Sequence, residues 1–304
     1  MRNKKIISLM LIFCILLTGC RQNKHYEVRQ DLSVYFANAD DVIVSVRNSL
    51  RNHASKIIIN YASHGDNMQD IGILVRELMQ YALEETDSPS DGDYLFYQYG
   101  GYEMHYSYEK QDSDYLYQIE ITPDYYTTLK QEQAVSDKIQ EILKELDFRK
   151  NTSEYEKIRK IYEYVYDTVE YDLIHKKNEH YHLKSTAYGA LIYHRAVCQG
   201  YAVLMYRLLK ESGIDVRVIT GTAGLPDGST EFHAWNIVRI DGLYYNLDVT
   251  WNKQMQTEDY FLKSDADFPS HIRDENFADE SFYQRYPMSD RNYDDNASSI
   301  TAII

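Results

Sequence analysis

Apolar positions recur along this chain with two periods, and the change from one to the other marks its elements. Residues 40–50 read as a helix, and Lys56-Ile57-Ile58-Ile59-Asn60-Tyr61 as a buried strand. Ile71, Leu74, Val75, Leu78 and Met79 return to helical spacing, and Asp87-Ser88-Pro89-Ser90-Asp91-Gly92-Asp93 is a loop by its turn chemistry. Three alternating stretches follow. They are Tyr94 to Tyr99, then Tyr102, Met104, Tyr106 and Tyr108 on one face, then Tyr115, Tyr117, Ile119 and Ile121 on one face, with Gly100-Gly101 as the expected hairpin turn between the first two.

Val135, Ile139, Ile142, Leu143 and Leu146 mark a further amphipathic helix. Another opens at Ser153, where Glu156 three residues on completes a capping box ahead of Ile158, Ile161, Tyr162, Val165 and Val169. Tyr201, Leu204, Met205, Leu208 and Leu209 form a helical stripe that Gly213 stops. Residues 232–240 and 243–251 are strand-like runs joined by Asp241-Gly242, a strong hairpin signal. No repeat of 20–50 residues is visible, and the chain after Tyr286 is polar and expected to be loose. The expected organisation is a leader over 1–19, a tether over 20–30, a small α+β domain over 31–125, a connecting helix over 126–150, a second α+β domain over 151–286 and a polar tail over 287–304.

The N-terminus changes that picture. Arg2, Lys4 and Lys5 precede an apolar run from Ile6 to Leu17, which is too short and wrongly flanked for a spanning helix and has the form of a secretory signal. Its ending, Leu17-Thr18-Gly19-Cys20, resembles the lipobox of bacterial lipoproteins, which implies cleavage before Cys20 and lipid on its sulfur. An acyl anchor with more than one chain holds a protein stably on a bilayer. The expected location is therefore extracytoplasmic, on a bacterial membrane. The formal charge of −15 becomes more negative once Arg2, Lys4 and Lys5 are removed, so nucleic acid and anionic headgroups are poor partners. The 30 tyrosines fit half-buried strand faces with wet hydroxyls better than a glycan platform.

Of the three cysteines, Cys14 lies in the leader and Cys20 at its end, so Cys198 is left as the free thiol of the mature chain. It sits at the start of the helix that Gly213 ends, where the positive end of the dipole favours thiolate, and Gly200 in the first turn allows close approach. Alone, such a cysteine is most often a passive buried residue. If Asp241-Gly242 is a two-residue turn, His233 lies opposite Thr250 and Asp248 becomes its diagonal neighbour, at about 7–8 Å by backbone and closer by side chain. Each of these also has a structural reading: histidine beside tryptophan as packing, aspartate at a strand end as a cap. Together they allow the imidazole to take the thiol proton, the carboxylate to orient the ring, and the thiolate to attack a carbonyl carbon. His175, Glu179, His180 and His182 lack metal-ligand spacing, and the acids Asp265, Asp267, Asp274, Glu275, Asp279 and Glu280 do not fit a calcium loop, so neither is assigned a metal.

Val197-Cys198-Gln199-Gly200-Tyr201-Ala202, His233-Ala234-Trp235-Asn236 and Asp248-Val249-Thr250-Trp251, with Ala187-Tyr188-Gly189-Ala190-Leu191 upstream, resemble the bacterial branch of the transglutaminase-like superfamily over about residues 150–265. The resemblance implies an α+β chain with a version of the papain-type cysteine proteinase fold. It also implies Cys198 as nucleophile, His233 as base, Asp248 as its orienting partner, and no cofactor. The amide of Cys198 is a candidate oxyanion donor, and Tyr188, Gln199 and Trp235 are candidate substrate contacts. The expected activity is thiol attack on an amide of a protein or peptide, of the cell envelope or elsewhere, resolved by water as in a cysteine peptidase or amidase. Transamidation needs a site that excludes water, and the loop Ala223-Gly224-Leu225-Pro226-Asp227-Gly228-Ser229-Thr230 is short and polar. The rival readings are a crosslinking enzyme, a non-catalytic binding module and a structural surface protein, the last of which requires a buried Cys198.

Overall fold

The computed structural model describes residues 5–7, 13–14, 38–65, 70–225, 228–268 and 270–294. The expected lipid site Cys20 and the tether lie outside the described residues, as does most of the leader. The chain folds into two compact units, residues 1–129 and 130–304. Among the described residues no helix is long and apolar enough to cross a membrane.

In the first unit, the short strands β1 (Lys5–Ile7) and β2 (Phe13–Cys14) pair along the outer edge of β4 (Tyr99–Gln111), with α1 (Ala39–Arg51), β3 (Ile57–His64), α2 (Ile71–Ala82) and α3 (Asp93–Tyr97) between them in sequence. β4 and β5 (Asp114–Tyr125) form a hairpin, and β3 pairs with β5. Strand alternation sends Ile57, Ile59 and Tyr61 of β3, Met104 and Tyr106 of β4, and Tyr117, Ile119 and Ile121 of β5 into one core with Val46 and Leu50 of α1 and Leu74, Val75 and Leu78 of α2. The Arg47 guanidinium donates to the carbonyls of Ala82 and Tyr81 at 2.9 and 2.7 Å, satisfying the C-terminus of α2.

Two local expectations fail here. Tyr94 to Tyr99 is not a strand: the Glu85 carboxylate accepts the Asp93 N–H at 2.8 Å and starts α3, which buries Tyr94, Leu95 and Tyr97. Gly100-Gly101 is not a turn either. It carries an irregularity at the start of β4, with Gly101 at φ 121°, and the hairpin turns at Asp112-Ser113, where Asp112 takes φ 54°.

The second unit opens with α4 (Leu129–Glu145), which buries Val135, Ile139 and Ile142, and α5 (Glu154–Thr168), whose capping box of Ser153 and Glu156 is formed as expected. β6 (Glu170–Tyr171), α6 (Ala187–Ile192) and β7 (Arg195–Ala196) lead to α7 (Cys198–Glu211), with β6 and β7 paired in parallel. α7 is buried from Cys198 to Leu209 and ends as expected at Gly213, φ 81°. β8 (Val216–Gly224), β9 (Thr230–Ile240) and β10 (Leu243–Leu247) follow, then α8 (Val249–Met255), β11 (His271–Arg273) and α9 (Glu280–Arg285). The sheet order is β10, β9, β8, β11, all antiparallel.

Asp241 and Gly242 both have positive φ, 51° and 89°, as a two-residue hairpin turn of the primed kind requires, and Leu243 faces Ile240. The second run does not remain a strand to Trp251: Asp248 accepts the Trp251 N–H at 3.0 Å and starts α8. The tail is not loose at its start. Tyr244 N–H donates to Pro287 and Tyr244 carbonyl accepts from Ser289, at 2.8 and 2.9 Å, because the outer edge of β10 offers unpaired backbone groups.

Candidate active site

Three connections fix where Cys198 sits. Val197 N–H donates to the Lys184 carbonyl at 2.8 Å, Tyr201 Oη to the Val169 carbonyl at 2.6 Å, and Asn236 Nδ2 to the Ala202 carbonyl at 3.0 Å. Close approach is structural here: a Cβ on Gly200 would stand 2.8 Å from the Lys184 carbonyl oxygen, and one on Gly189 only 2.0 Å from that of Leu183. Gly200 thus lets the Lys184 backbone press against the start of α7, and Gly189 lets that of Leu183 press against α6. α7 has no side-chain cap, and Cys198, 7% exposed, stands at its first position.

His233 arrives from β9, opposite Gly221 of β8. Its Nε2 meets Asp248 Oδ2 at 2.6 Å, with both side chains buried. The expected contact between His233 and Asp248 is present, but not by the expected route: the pairing of β10 with β9 ends at Leu247 opposite Asn236, Thr250 lies in α8 instead of facing His233, and Asp248 reaches the ring from the cap of α8. Burial pushes the imidazole down, but the Asp248 charge and hydrogen bond, then the bond to Cys198, outweigh it and push His233 up to about 10. With Nε2 committed to the carboxylate, Nδ1 is the ring nitrogen left for the thiol. The structure brings together Cys198, His233 and Asp248.

A second imidazole reaches the same carboxylate, and sequence reasoning missed it. His271 Nε2 lies 3.0 Å from Asp248 Oδ2, and its side chain is fully buried. Burial alone would raise the Asp248 carboxyl, yet His233 first and His271 second hold it well below the usual carboxylate range. His271 itself is pushed down, by burial first and by the neighbouring His233, against the pull of Asp248. It lies 23 residues from Asp248 in a polar stretch, with no local spacing to mark it.

Tyr171 was also missed. Burial pushes its hydroxyl up, and charge on Cys198, Glu231 and Asp248 acts in the same direction. Lys176 stands over its ring at 5.5 Å and pairs with Glu231 at 2.7 Å.

The other candidates separate. Trp235 is 1% exposed and its indole N–H donates to Asn246 Oδ1 at 3.2 Å, so it braces the sheet behind His233 and has no face for a substrate. Gln199 is buried in the first turn of α7, whereas Tyr188 is half-buried, edge-on to Tyr193 at 5.3 Å. His175 bonds to buried Asp172 at 2.9 Å and stacks on Tyr181, ordering a loop. Asp265 pairs with Arg273, Asp274 accepts from Thr220, and Asp279 caps α9, so these acids serve the fold. Among the described residues, His233, Asp248 and His271 form a group with possible metal-ligating atoms within 4.8 Å of one another. Both histidines in it are already hydrogen bonded to one carboxylate oxygen.

Residues 140–249 match the sequence model of the transglutaminase-like superfamily, a span that contains Cys198, His233 and Asp248. No curated protein sequence matches the chain. Among solved structures, one described as a TGase aligns at 20% identity and TM-score 0.34, over 50% of this chain and 44% of that one. A proposed cysteine protease from Cytophaga hutchinsonii aligns at 16% identity and TM-score 0.28, over 55% of this chain and 64% of that one.

Proposed function

We propose, from the match of residues 140–249 to the transglutaminase-like superfamily, that the chain is a thiol enzyme in which Cys198 attacks an amide carbonyl. The adjacency of Cys198 to His233, and the hydrogen bond of His233 to Asp248, carry the reading. His233 takes the thiol proton on Nδ1 while Asp248 holds Nε2–H and the ring's orientation. Imidazolium stabilised in this way keeps thiolate beside it. Attack on the carbonyl gives a tetrahedral oxyanion, to which the Cys198 amide at the start of α7 donates. The proton then passes from imidazolium to the leaving amine, and a thioester remains. Water, activated by the same imidazole, releases the acid and restores the thiol. Water is the acceptor in this proposal because, among the described residues, none marks a dry pocket for an amine.

The rival reading is a thiol kept for packing, and the 7% exposure of Cys198 is what favours it. Soluble protein beginning after Cys20 should react with iodoacetamide at Cys198 and should still do so readily near pH 6. The sign follows from His233, which stays cationic up to about pH 10 and so faces the sulfur as a cation at pH 6. Labelling that becomes fast only in denaturant would support the packing reading, and peptide mapping identifies the labelled residue.

The proposed location is the outer face of a bacterial membrane, held by lipid on Cys20, on the strength of Leu17-Thr18-Gly19-Cys20. Cys20→Ser should shift the protein from the membrane fraction to the soluble one. Unchanged fractionation, with no acyl mass on the N-terminal peptide of the natural chain, would rule the anchor out.

A further inference from the structure

His271 has no part in the chemistry so far described, yet its side chain is fully buried beside Asp248. Its ring is boxed by Phe268, Trp251, Trp235 and Tyr260, with centroids at 4.0, 4.5, 5.0 and 5.5 Å. Strand β11 delivers it by pairing His271 with Ala223 of β8. Its Nε2 meets Asp248 Oδ2 at 3.0 Å, and its buried Nδ1 has no hydrogen-bond partner. A second proton on that ring would bury an Nδ1–H without a partner, so the ring is neutral with its hydrogen on Nε2. Leaving Nδ1 bare is itself unfavourable, and an apolar side chain would fill the box without that cost. The single polar contact made in return is with the carboxylate that orients His233.

We propose that His271 is a positioning residue: its Nε2–H fixes the Asp248 carboxylate so that the carboxylate remains an anion facing His233. Asp248 accepts three hydrogen bonds, from His233 and His271 on Oδ2 and from the Trp251 N–H on Oδ1. A buried carboxylate with fewer donors becomes more basic. Without His271, the proton on His233 Nε2 moves onto Asp248 Oδ2, leaving a neutral acid beside a neutral ring. The thiolate then loses its counterion. The titratable groups facing the His271 ring are Asp248, His233 and Tyr260, with Arg273 further along β11 tied to Asp265. The inference rests on the proposed thiolate and imidazolium pair.

The test is the pH profile of Cys198 alkylation by iodoacetamide, which needs no substrate. In His271→Phe the rate at pH 6 should fall at least tenfold while converging on that of the natural protein above pH 9. His271→Gln, whose amide nitrogen takes the place of Nε2, should stay within twofold at pH 6, and His271→Asn, which is too short, should resemble Phe. A Phe variant with the natural profile, or one slowed equally at every pH, overturns the role and leaves His271 as packing. Should the Phe variant fail to fold, equal rates in the Gln and Asn variants overturn it in the same way. If the natural protein itself titrates as an ordinary thiol, the thiol-enzyme reading fails first. Natural reactivity at pH 6 that is insensitive to residue 271 removes this inference alone.

Discussion

Cys198→Ala and His233→Ala should each lower turnover by about 10³-fold or more, and the double variant should be no worse than the poorer single one. Removing the thiol removes the attacking atom. In the proposed mechanism, removing the imidazole removes both the base that creates the thiolate and the acid that protonates the leaving amine. Since either loss abolishes the same step, the free energies cannot add. Asp248→Asn belongs with them: an amide cannot hold the ring with its hydrogen on Nε2 in the same way, and the cation on His233 loses its counterion. The assay requires a substrate, which a screen of cell-surface and glutamine-containing peptides would supply, read by mass change with and without a labelled primary amine. Modest, additive losses would mean that these side chains tune packing. Cys198-dependent amine incorporation that outpaces cleavage would replace hydrolysis by transamidation.

Asp248→Ala should produce the largest loss of stability, about 3–5 kcal/mol, the usual consequence of breaking a buried ion pair from one side. Two imidazoles and the Trp251 N–H, with both imidazole side chains buried, lose their acceptor together. For a unit of this size the melting temperature should fall by on the order of 10 °C. Glu163→Ala, which removes one exposed partner of Arg159 while Glu258 keeps the other contact, should barely move it. The pH dependence has a definite sign. His233 is raised from 6.5 to about 10, so its contribution is complete below pH 6.5 and is lost as pH rises through about 10. Asp248 is lowered from 3.8, so its contribution is complete above pH 3.8 and is lost as pH falls below that value. The pair therefore stabilises the fold most between pH 3.8 and 6.5, and the gap in melting temperature between the natural protein and the alanine variant should be widest there. A gap that is the same at pH 5 and pH 10 would show that the pair is not ionised as described.

The sequence by itself determined those features that neighbouring residues specify. The capping box at Ser153 and Glu156, the stop at Gly213 and the Asp241-Gly242 turn each depend on a few consecutive φ, ψ angles and one or two short hydrogen bonds. The turn then determined more than itself, because a two-residue hairpin sets the register of β10 against β9 as far as Leu247 and so brings the chain to within one residue of Asp248, whereas the helix that starts there turns its carboxylate to His233. What only the tertiary structure decided are the contacts whose partner is distant along the chain. Glu85 makes a helix of residues 93–97 that alternate like a strand, the free edge of β10 orders Pro287 and Ser289, and an aromatic box carries His271 to Asp248. Periodicity encodes which face a residue turns inward; it does not encode what meets it there, because the same apolar face can be covered by many elements and burial energy is non-directional. His271 had no local signal for that reason, and its role became visible only when the second sheet brought β11 alongside β8.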